Sequence, residues 1–326
     1  ANANRFDVVI LHGLWNYSSV GSWRVLRKHS TPYVVFVHGM MSRWFRDCFP
    51  IKHAAKQAFW SLLEGRVVRD ARYALFTAEE ERLDAQNVFC GYQYYKERVV
   101  PYGTVVPVGD EASQRMALLA AHPAFNGRRF LLFVGRLHSV KGCDLLIQAF
   151  AQSLDRIPRD VDIVIAGPDQ TGLSGQLKAM AQQLGVAKRI HWTGMVNGDL
   201  KWGMFRSCEA LILPSHHENF GLVVVEAMAC SRPVLISNKV AVCREVAGSS
   251  AGIVEPDTLE GTRQLIVKFW DLSEDERSRM GLAAKRAFHR YFDIEVTARE
   301  FARAIDFQRE GLGGPATTES TLGMRH

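Results

Sequence analysis

The segment from residue 130 to residue 236 alternates short β-branched runs with amphipathic stretches, and this alternation restricts the fold more than any other feature. Apolar runs that lack a polar face are typical of parallel strands covered by helices on both sides. Strand and helix in regular alternation predict a doubly wound α/β domain. The predicted strands cover 130–134, 161–166, 189–193, 210–213 and 233–236, and the predicted helices cover 143–154, 174–184, 199–207 and 221–229.

Two further apolar runs near the start of the chain, at 7–13 and 33–39, each end in His-Gly. They predict a second parallel sheet of the same kind. Apolar residues at helical spacing also predict an amphipathic helix over 50–72. The remaining elements expected in this region are strands at 73–77 and 98–101 and a helix at 20–29.

The domain organisation follows from where this periodicity fails. Turn residues at 101–109 and a weakly periodic connector at 111–128 separate the two regions. After Ile253 the pattern becomes helical, and the segment from residue 273 has a capping-box start. The helices predicted there are 258–271, 273–292 and 294–307. We expect a first domain at 1–110, a second domain at 111–290, a helix at 291–310 that crosses back to the first domain, and a flexible tail at 311–326.

The composition excludes several classes of protein. The 326 residues carry 40 Lys and Arg against 34 Asp and Glu, and the net charge of +6 favours an anionic ligand or membrane surface without indicating a nucleic-acid-binding protein. The six cysteines lack Cys-x-x-Cys spacing and zinc-spaced His partners, which indicates a reduced, metal-free interior. No membrane-spanning run and no signal-peptide pattern occurs, so a cytoplasmic protein is expected.

Two glutamates follow the predicted strand at 210–213, where ligands of open α/β sheets bind. Glu218 lies in the loop, and Glu226 lies in an otherwise apolar helix where a carboxylate needs a partner. A sugar hydroxyl or ribose diol would be such a partner, and the helix start at Gly221 would present free N–H groups to a phosphate. A surface cap at Glu218 and an incidental helix acid at Glu226 are the alternative interpretation.

The loop at 135–142 carries two cations, Arg136 and Lys141, beside the exposed backbone N–H groups of a helix start. Such an arrangement binds anions. A guanidinium offers a planar fork and an ammonium a point charge, so the pair could neutralise a diphosphate without a metal. Solvated charges on a loop are the alternative for this pair taken alone.

These motifs occur in one ordered set, and together they resemble the retaining GT-B glycosyltransferases of group 1, family four, over residues 5–308. The set is Gly135-Arg136-x4-Lys141-Gly142, Ala166-Gly167-Pro168, Trp192-Thr193-Gly194, Glu218-x7-Glu226 and Arg232-Pro233-Val234. The resemblance implies two Rossmann-like domains that face each other across a cleft. It also implies transfer of a hexosyl group, with retention, from a UDP- or GDP-linked sugar to a glycan, lipid or small-molecule acceptor, without metal or cofactor.

The resemblance implies a role for each matching residue. Arg136 and Lys141 would bind the donor diphosphate, and Glu226 would bind the ribose. Glu218 would bind the transferred sugar, and His38 would reach that sugar from the first domain. The remaining residues implied in donor binding are Gly167, Trp192, Gly194, Met195, Asn219, Phe220, Gly221 and Leu222. The leaving phosphate would itself deprotonate the acceptor.

One departure from the family pattern concerns the start of the chain. The first strand and glycine-rich loop of the family have no counterpart, so we expect an incomplete first domain and a chain that is part of a longer protein. Two alternatives to a transferase therefore stay open: a nucleotide-sugar epimerase, and a non-catalytic protein that binds a nucleotide sugar or a partner. His12 would face the acceptor or would be a core histidine held by backbone groups.

Two further patterns concern metals and membranes. Asp160 and Asp162 form an Asp-x-Asp pattern, but they lie at the start of a predicted strand and not after it, so we expect no metal site there. The basic, aromatic stretch at 43–46 and the helix up to residue 72 could rest on anionic lipid at the inner face of a membrane. Covering a sheet is the alternative role of this helix.

Overall fold

The computed structural model describes residues 5–306. Two parallel sheets, each covered by helices, form two domains, which we call first and second in chain order. The predicted tail at 311–326 and residue 307, the end of the last predicted helix, lie outside the described residues.

The first domain contains a four-stranded sheet whose strands neighbour one another in chain order. The two inner strands are buried along their whole length, as the lack of a polar face predicts. The strands are β1 (Val9–His12), β2 (Tyr33–Phe36), β3 (Tyr73–Phe76) and β4 (Glu97–Val99). The helices are α1 (Tyr17–His29), α2 (Arg43–Cys48), α3 (Pro50–Phe59), α4 (Gly65–Asp70) and α5 (Glu79–Asp84).

The second domain contains a six-stranded sheet of order β10-β9-β8-β5-β6-β7, in which every neighbouring pair is parallel. The strands are β5 (Arg129–Val134), β6 (Val161–Ala166), β7 (Ile190–Gly194), β8 (Ala210–Leu213), β9 (Val234–Ser237) and β10 (Gly252–Glu255). The helices are α6 (Glu111–Ala121), α7 (Cys143–Ala151), α8 (Leu173–Gln183), α9 (Gly198–Ser207), α10 (Leu222–Ala229), α11 (Cys243–Gly248), α12 (Leu259–Asp271) and α13 (Glu274–Tyr291). Since the order reverses between β5 and β8, the crevice at their carboxyl ends is where a ligand is expected.

The last described helix, α14 (Ile294–Ile305), returns to the first domain. Its apolar residues Phe301, Ala304 and Ile305 join a cluster of first-sheet side chains that includes Val34 and Leu75. The two domains are thus linked twice, by the connecting segment between β4 and α6 and by this helix.

The expectation of a connector at 111–128 was wrong, because a helix, α6, occupies most of it. Asp110 caps this helix by accepting a hydrogen bond from the backbone N–H of Ser113 at 2.8 Å. Only Gln114 and Leu118 are buried, so too few apolar side chains face the interior for the sequence to show the periodicity of a helix. Both pack against α9, where Gly203 lets the two helices approach closely.

The single helix expected over 50–72 was also wrong, since a π-helical turn, Trp60–Glu64, separates α3 from α4. The wider turn brings both Trp60 and Glu64 into the interior. The short elements α5, α11 and β10 were not predicted. In particular, the chain after Ile253 is not purely helical, because residues 252–255 pair with β9 as an outer strand.

Candidate functional site

Two loops meet at the switch point between β5 and β8. The loop at 135–142 carries Lys141, and the loop at 214–221 carries Glu218. Nζ of Lys141 donates a hydrogen bond to Oε2 of Glu218, and the ion-paired side chains are only 13% and 19% exposed. The residues predicted to bind the diphosphate and the transferred sugar are therefore in direct contact.

Backbone geometry holds these two loops together. Gly142 adopts the left-handed region with φ 68°, and a Cβ at this position would lie 2.2 Å from the carbonyl oxygen of Pro214. Only glycine fits such an approach. The N–H of His216 also donates to the carbonyl oxygen of Val140 at 2.8 Å. The ion pair is thus positioned by main-chain contacts on both sides.

Arg136 lies where the ends of three strands meet. The N–H of Gly135 donates to the carbonyl oxygen of Ala166 at 2.9 Å, and the N–H of Gly167 donates to that of Gly194 at 2.7 Å. Gly167 has φ 149°, and a Cβ there would lie 1.8 Å from the carbonyl oxygen of Gly135. Arg136 is exposed, and no ion pair or hydrogen bond within residues 5–306 engages its guanidinium. The cation is available to a ligand.

The start of α10 offers backbone donors beside the ion pair. Gly221 caps the helix in the left-handed region with φ 87°. No hydrogen bond in the described part of the chain uses the N–H groups of Phe220, Gly221 or Leu222. The ring of Phe220 is buried against Tyr102, with centroids 5.2 Å apart, so Phe220 contributes its backbone and not its side chain to the crevice. Unpaired N–H groups at a helix start are the kind of group that can bind an anion.

Glu226 already has a partner, which corrects the expectation that a ligand hydroxyl would supply one. Nζ of Lys201 on α9 lies 2.6 Å from Oε1 of Glu226, whose side chain is 8% exposed. This pairing offsets the cost of a buried carboxylate. No hydrogen bond among residues 5–306 engages Oε2, so one carboxylate oxygen remains for a ribose hydroxyl.

The residues predicted near the nucleobase lie at the far edge of the second sheet. Trp192 and Gly194 end β7, and Lys178 lies 5.8 Å from the centroid of the Trp192 ring. Met195 is 73% exposed. None of these residues lines the two cavities described below, so their contact with a base stays a prediction.

His38 occupies a constrained turn at the end of β2. It has φ 52°, and the N–H of the following Gly39 donates to the buried carboxylate of Glu81. Burial raises the pKa of Glu81, although Thr77 also donates to it. The two ring nitrogens of His38 are engaged within the first domain, Nδ1 by Tyr102 and Nε2 by His12. His38 therefore does not offer a free nitrogen to a sugar.

A stacked pair joins the two domains across the cleft. The rings of Trp44 and His217 are 5.4 Å apart and nearly parallel, so Trp44 faces the second domain and not an outer surface. Two cavities border this pair, and each is lined from both domains and by Glu218. The first, of about 560 Å³, includes Asp84 and Lys239, and the second has a volume of about 530 Å³. The polar and aromatic residues of the second cavity include Phe45, Phe49, Lys52, His53, Lys56, Arg136, Lys141 and Glu218.

We expect this stack to weaken in acid. Burial lowers the pKa of His217, so the folded protein favours the neutral ring, and the stability it contributes is present above about pH 6.5 and lost as the pH falls through the folded-state pKa. His217→Phe keeps the stack but removes the titration. Thermal unfolding at pH values above and below 6.5 should therefore show a smaller loss of stability for this variant than for the wild type. Equal losses would contradict the assignment.

The Asp-x-Asp pattern lies at the amino end of β6, at the opposite edge of the sheet from the crevice. Asp162 pairs with Arg128 and with His191 at 2.9 Å, and Asp160 pairs with Arg129 at 2.8 Å. Within residues 5–306, no group of three or more His, Cys, Asp or Glu side chains is placed to hold a metal ion. No helix of this described part is both long and apolar enough to cross a membrane.

The sequence did not predict three residues of the site. Lys201 pairs with Glu226 across two helices, Tyr102 bonds His38 from the connecting segment, and Glu81 holds the His38 turn. A buried carboxylate in an apolar helix did signal that a partner must exist. Nothing local in the sequence could name that partner, because each of these contacts joins distant parts of the chain.

Comparison with known proteins identifies the family of the chain. Residues 115–287, more than half of the chain, match the family "Glycosyl transferases group 1", and residues 1–103 match "Glycosyl transferase 4-like domain". The D-inositol 3-phosphate glycosyltransferase of Geodermatophilus obscurus is 31% identical over 93% of this chain and 64% of its own length. That of Actinosynnema mirum is 36% identical over 71% of this chain and 55% of its own length. The chain thus spans less than two thirds of these curated relatives.

Solved structures share the fold. Sucrose-phosphate synthase from Thermosynechococcus elongatus superposes with a TM-score of 0.74 at 18% identity, over 95% of this chain and 75% of that one. HepE from Anabaena, in complex with UDP and glucose, gives a TM-score of 0.73 at 17% identity, over 94% and 79%. These likenesses confirm the predicted α/β fold of GT-B type. The chain belongs to the group 1 glycosyltransferases.

Proposed function

We propose that the protein transfers a sugar from a nucleotide-activated donor to an acceptor hydroxyl, with the donor bound at the β5/β8 crevice. The observation that carries this proposal is that Arg136, Lys141 and Glu218 line one cavity together with Asn219, which lies two residues before the helix cap at Gly221. Cations and helix N–H groups stabilise the charge that grows on a leaving diphosphate. A hydroxyl-binding carboxylate beside them suits the sugar that is transferred.

Donor binding would open the Lys141–Glu218 ion pair. Lys141 would turn to the diphosphate, and the freed carboxylate of Glu218 would accept hydrogen bonds from the hydroxyls of the transferred sugar. Because the desolvation cost of a largely buried ion pair offsets much of its attraction, exchanging it for two charge-assisted contacts with a donor is energetically accessible. The pair would also keep Glu218 from repelling the incoming diphosphate.

A UDP-linked hexose is our first choice of donor, with a GDP-linked sugar as the second. UDP and glucose are bound in the structure of HepE, a protein of this fold, and Oε2 of Glu226 has no hydrogen-bond partner within residues 5–306, which leaves it for a ribose hydroxyl. We further propose transfer with retention. In that mechanism the leaving phosphate, held by Arg136 and Lys141, takes the proton of the acceptor hydroxyl on the same face of the sugar.

A phosphorylated polyol or sugar is the acceptor that we propose, in keeping with the substrate that the relatives' names give. The first-domain side of the second cavity supports this choice. Lys52, His53 and Lys56 line it, and no carboxylate within residues 5–306 forms an ion pair with either lysine. Burial and, after it, the neighbouring Lys52 lower the pKa of Lys56. A glycan or lipid acceptor with an anionic group would fit the same cluster.

Turnover assays distinguish this proposal from its alternatives. Incubation with UDP-glucose or GDP-mannose and with inositol 3-phosphate should release the nucleoside diphosphate together with a glycoside. Conversion of the donor sugar without an acceptor would instead identify an epimerase. Calorimetric binding of UDP or GDP without any turnover, also with glycan and lipid acceptors, would identify a non-catalytic nucleotide-sugar-binding protein.

Peripheral contact with the inner face of a membrane is a further part of the proposal. On the α3 region, Ile51 is 87% exposed and Leu62 is 65% exposed, with Lys52 and Arg66 nearby in the chain. Apolar residues flanked by cations suit an anionic lipid surface. Sedimentation with vesicles that contain phosphatidylglycerol, compared with phosphatidylcholine alone, tests this contact, and equal partition to both would contradict it.

A further inference from the structure

Tyr102, in the segment that joins the two domains, touches both halves of the site. Its hydroxyl forms a hydrogen bond with Nδ1 of His38 in the first domain. The edge of its ring meets Phe220, which follows Glu218 in the loop that leads to α10. Tyr102 therefore links the start of α10 to the histidines at the end of the first sheet.

His38 also forms a hydrogen bond with His12. Nε2 of His38 lies 2.9 Å from Nδ1 of His12, and the two rings are nearly parallel. His12 is exposed at the carboxyl edge of the first sheet, the edge at which Gly39 abuts Asn219 of the second domain. Nε2 of His12 takes part in no hydrogen bond within residues 5–306. This nitrogen is therefore the unpaired end of a row of hydrogen bonds that runs from Tyr102 through His38 to His12.

The direction of these hydrogen bonds follows from where each proton can go. Burial and the nearby Glu81 raise the pKa of Tyr102, so its hydroxyl keeps its proton. Burial and His12 lower the pKa of His38, so this ring is neutral. His38 is the one hydrogen-bond partner of the Tyr102 hydroxyl in the described part of the chain. The hydroxyl has a single proton to place, and we take it as the donor to Nδ1 of His38.

We propose that Tyr102 fixes the tautomers of both histidines so that His12 presents an Nε2–H donor to an oxygen of the acceptor in the cleft. His38 accepts at Nδ1, so its own proton is on Nε2 and is donated to Nδ1 of His12. The remaining proton of neutral His12 is then on Nε2. Tyr102 and His38 are positioning residues, and His12 is the group that meets the acceptor. This role rests on the proposed transfer and leaves the leaving phosphate as the base.

Nitrogen NMR of the histidine rings tests the tautomers without any substrate. In the wild-type protein at neutral pH, both His12 and His38 should carry the proton on Nε2. Tyr102→Phe keeps the ring contact with Phe220 but removes the hydroxyl, and it should shift both histidines toward a mixture of tautomers. Unchanged tautomers in this variant, or an Nδ1–H on wild-type His12, would overturn the proposal. Because no substrate is needed, this result is independent of whether transfer is observed.

Kinetics give a second measurement, which a purely structural role of His12 would leave unchanged. With UDP-glucose and inositol 3-phosphate, His12→Ala should lower kcat/KM for the acceptor about fivefold, the effect of one neutral hydrogen bond, with the donor KM unchanged. His12→Gln retains an N–H donor and should recover most of this loss. Equal losses in both variants would argue against a donor role. Tyr17→Phe, at an exposed position, is the matched control for Tyr102→Phe and should change neither the NMR spectra nor the kinetics.

Discussion

Replacing Lys141 with alanine is expected to lower kcat roughly 10²- to 10³-fold, the usual effect of removing one group that stabilises charge in a transition state. The variant would also leave Glu218 unpaired beside the incoming diphosphate, so UDP should bind about tenfold more weakly or worse. Release of nucleoside diphosphate measures the first effect, and calorimetry with UDP measures the second. Wild-type turnover and affinity in Lys141→Ala would contradict the site.

The chain provides a matched control for this change. Lys239 also lies in the cleft, in the loop after β9, and it lines the first cavity but not the second, which holds Lys141. The carbonyl oxygen of Lys239 accepts a hydrogen bond from the N–H of Glu218 at 3.0 Å, a main-chain contact that alanine keeps. Lys239→Ala should therefore leave turnover within about twofold of the wild type, because its exposed ammonium forms no ion pair within residues 5–306. An equal loss in both variants would indicate a general effect of cleft charge. Because Lys141→Ala leaves the largely buried carboxylate of Glu218 unpaired, the free energy of unfolding should fall by about 2–3 kcal/mol.

Replacing Gly167 with alanine is the second change with a large expected effect. The new methyl group would lie 1.8 Å from the carbonyl oxygen of Gly135, in a backbone conformation with φ 149° that alanine disfavours. We expect a loss of roughly 2–4 kcal/mol in the free energy of unfolding, together with displacement of the loop that carries Arg136. Denaturant unfolding measures the stability, and UDP binding reports the displacement.

Gly175→Ala is the control for this substitution. Gly175 lies in the first turn of α8 without a positive φ, and a methyl group added there would have no other atom within 4 Å. Alanine should there stabilise the helix by up to about 1 kcal/mol. If Gly167→Ala proved as harmless as Gly175→Ala, the close packing of the strand ends around Arg136 would be refuted.

Elements whose sequence pattern lies within the element itself could be predicted from the sequence. The β5 and β8 strands and the loops after them follow from apolar runs and chain breaks, which is why Lys141 and Glu218 were predicted as site residues before their contact was known. Helix α6 and the π-helical turn at Trp60–Glu64 could not be predicted from the sequence. Both depend on the burial of a few side chains against parts of the fold that are distant in the chain.

The same distinction applies to the side chains of the site. The need of Glu226 for a partner follows from one carboxylate in an apolar helix, but the identity of Lys201 depends on how α9 packs beside α10. His38 was expected to reach a sugar, whereas its two ring nitrogens are engaged by Tyr102 and His12. Strand order and inter-domain contacts are tertiary properties, so the strands and helices of the second domain were predicted better than the contacts of the first-domain histidines.

The most direct test of the proposed transfer is a product analysis with the whole protein, UDP-glucose or GDP-mannose, and inositol 3-phosphate. Proton NMR should show equal amounts of nucleoside diphosphate and glycoside, and the glycoside should keep the anomeric configuration of the donor. A glycoside of inverted configuration would contradict retention. Donor that binds but yields no nucleoside diphosphate with phosphorylated, glycan or lipid acceptors would contradict the transferase function itself.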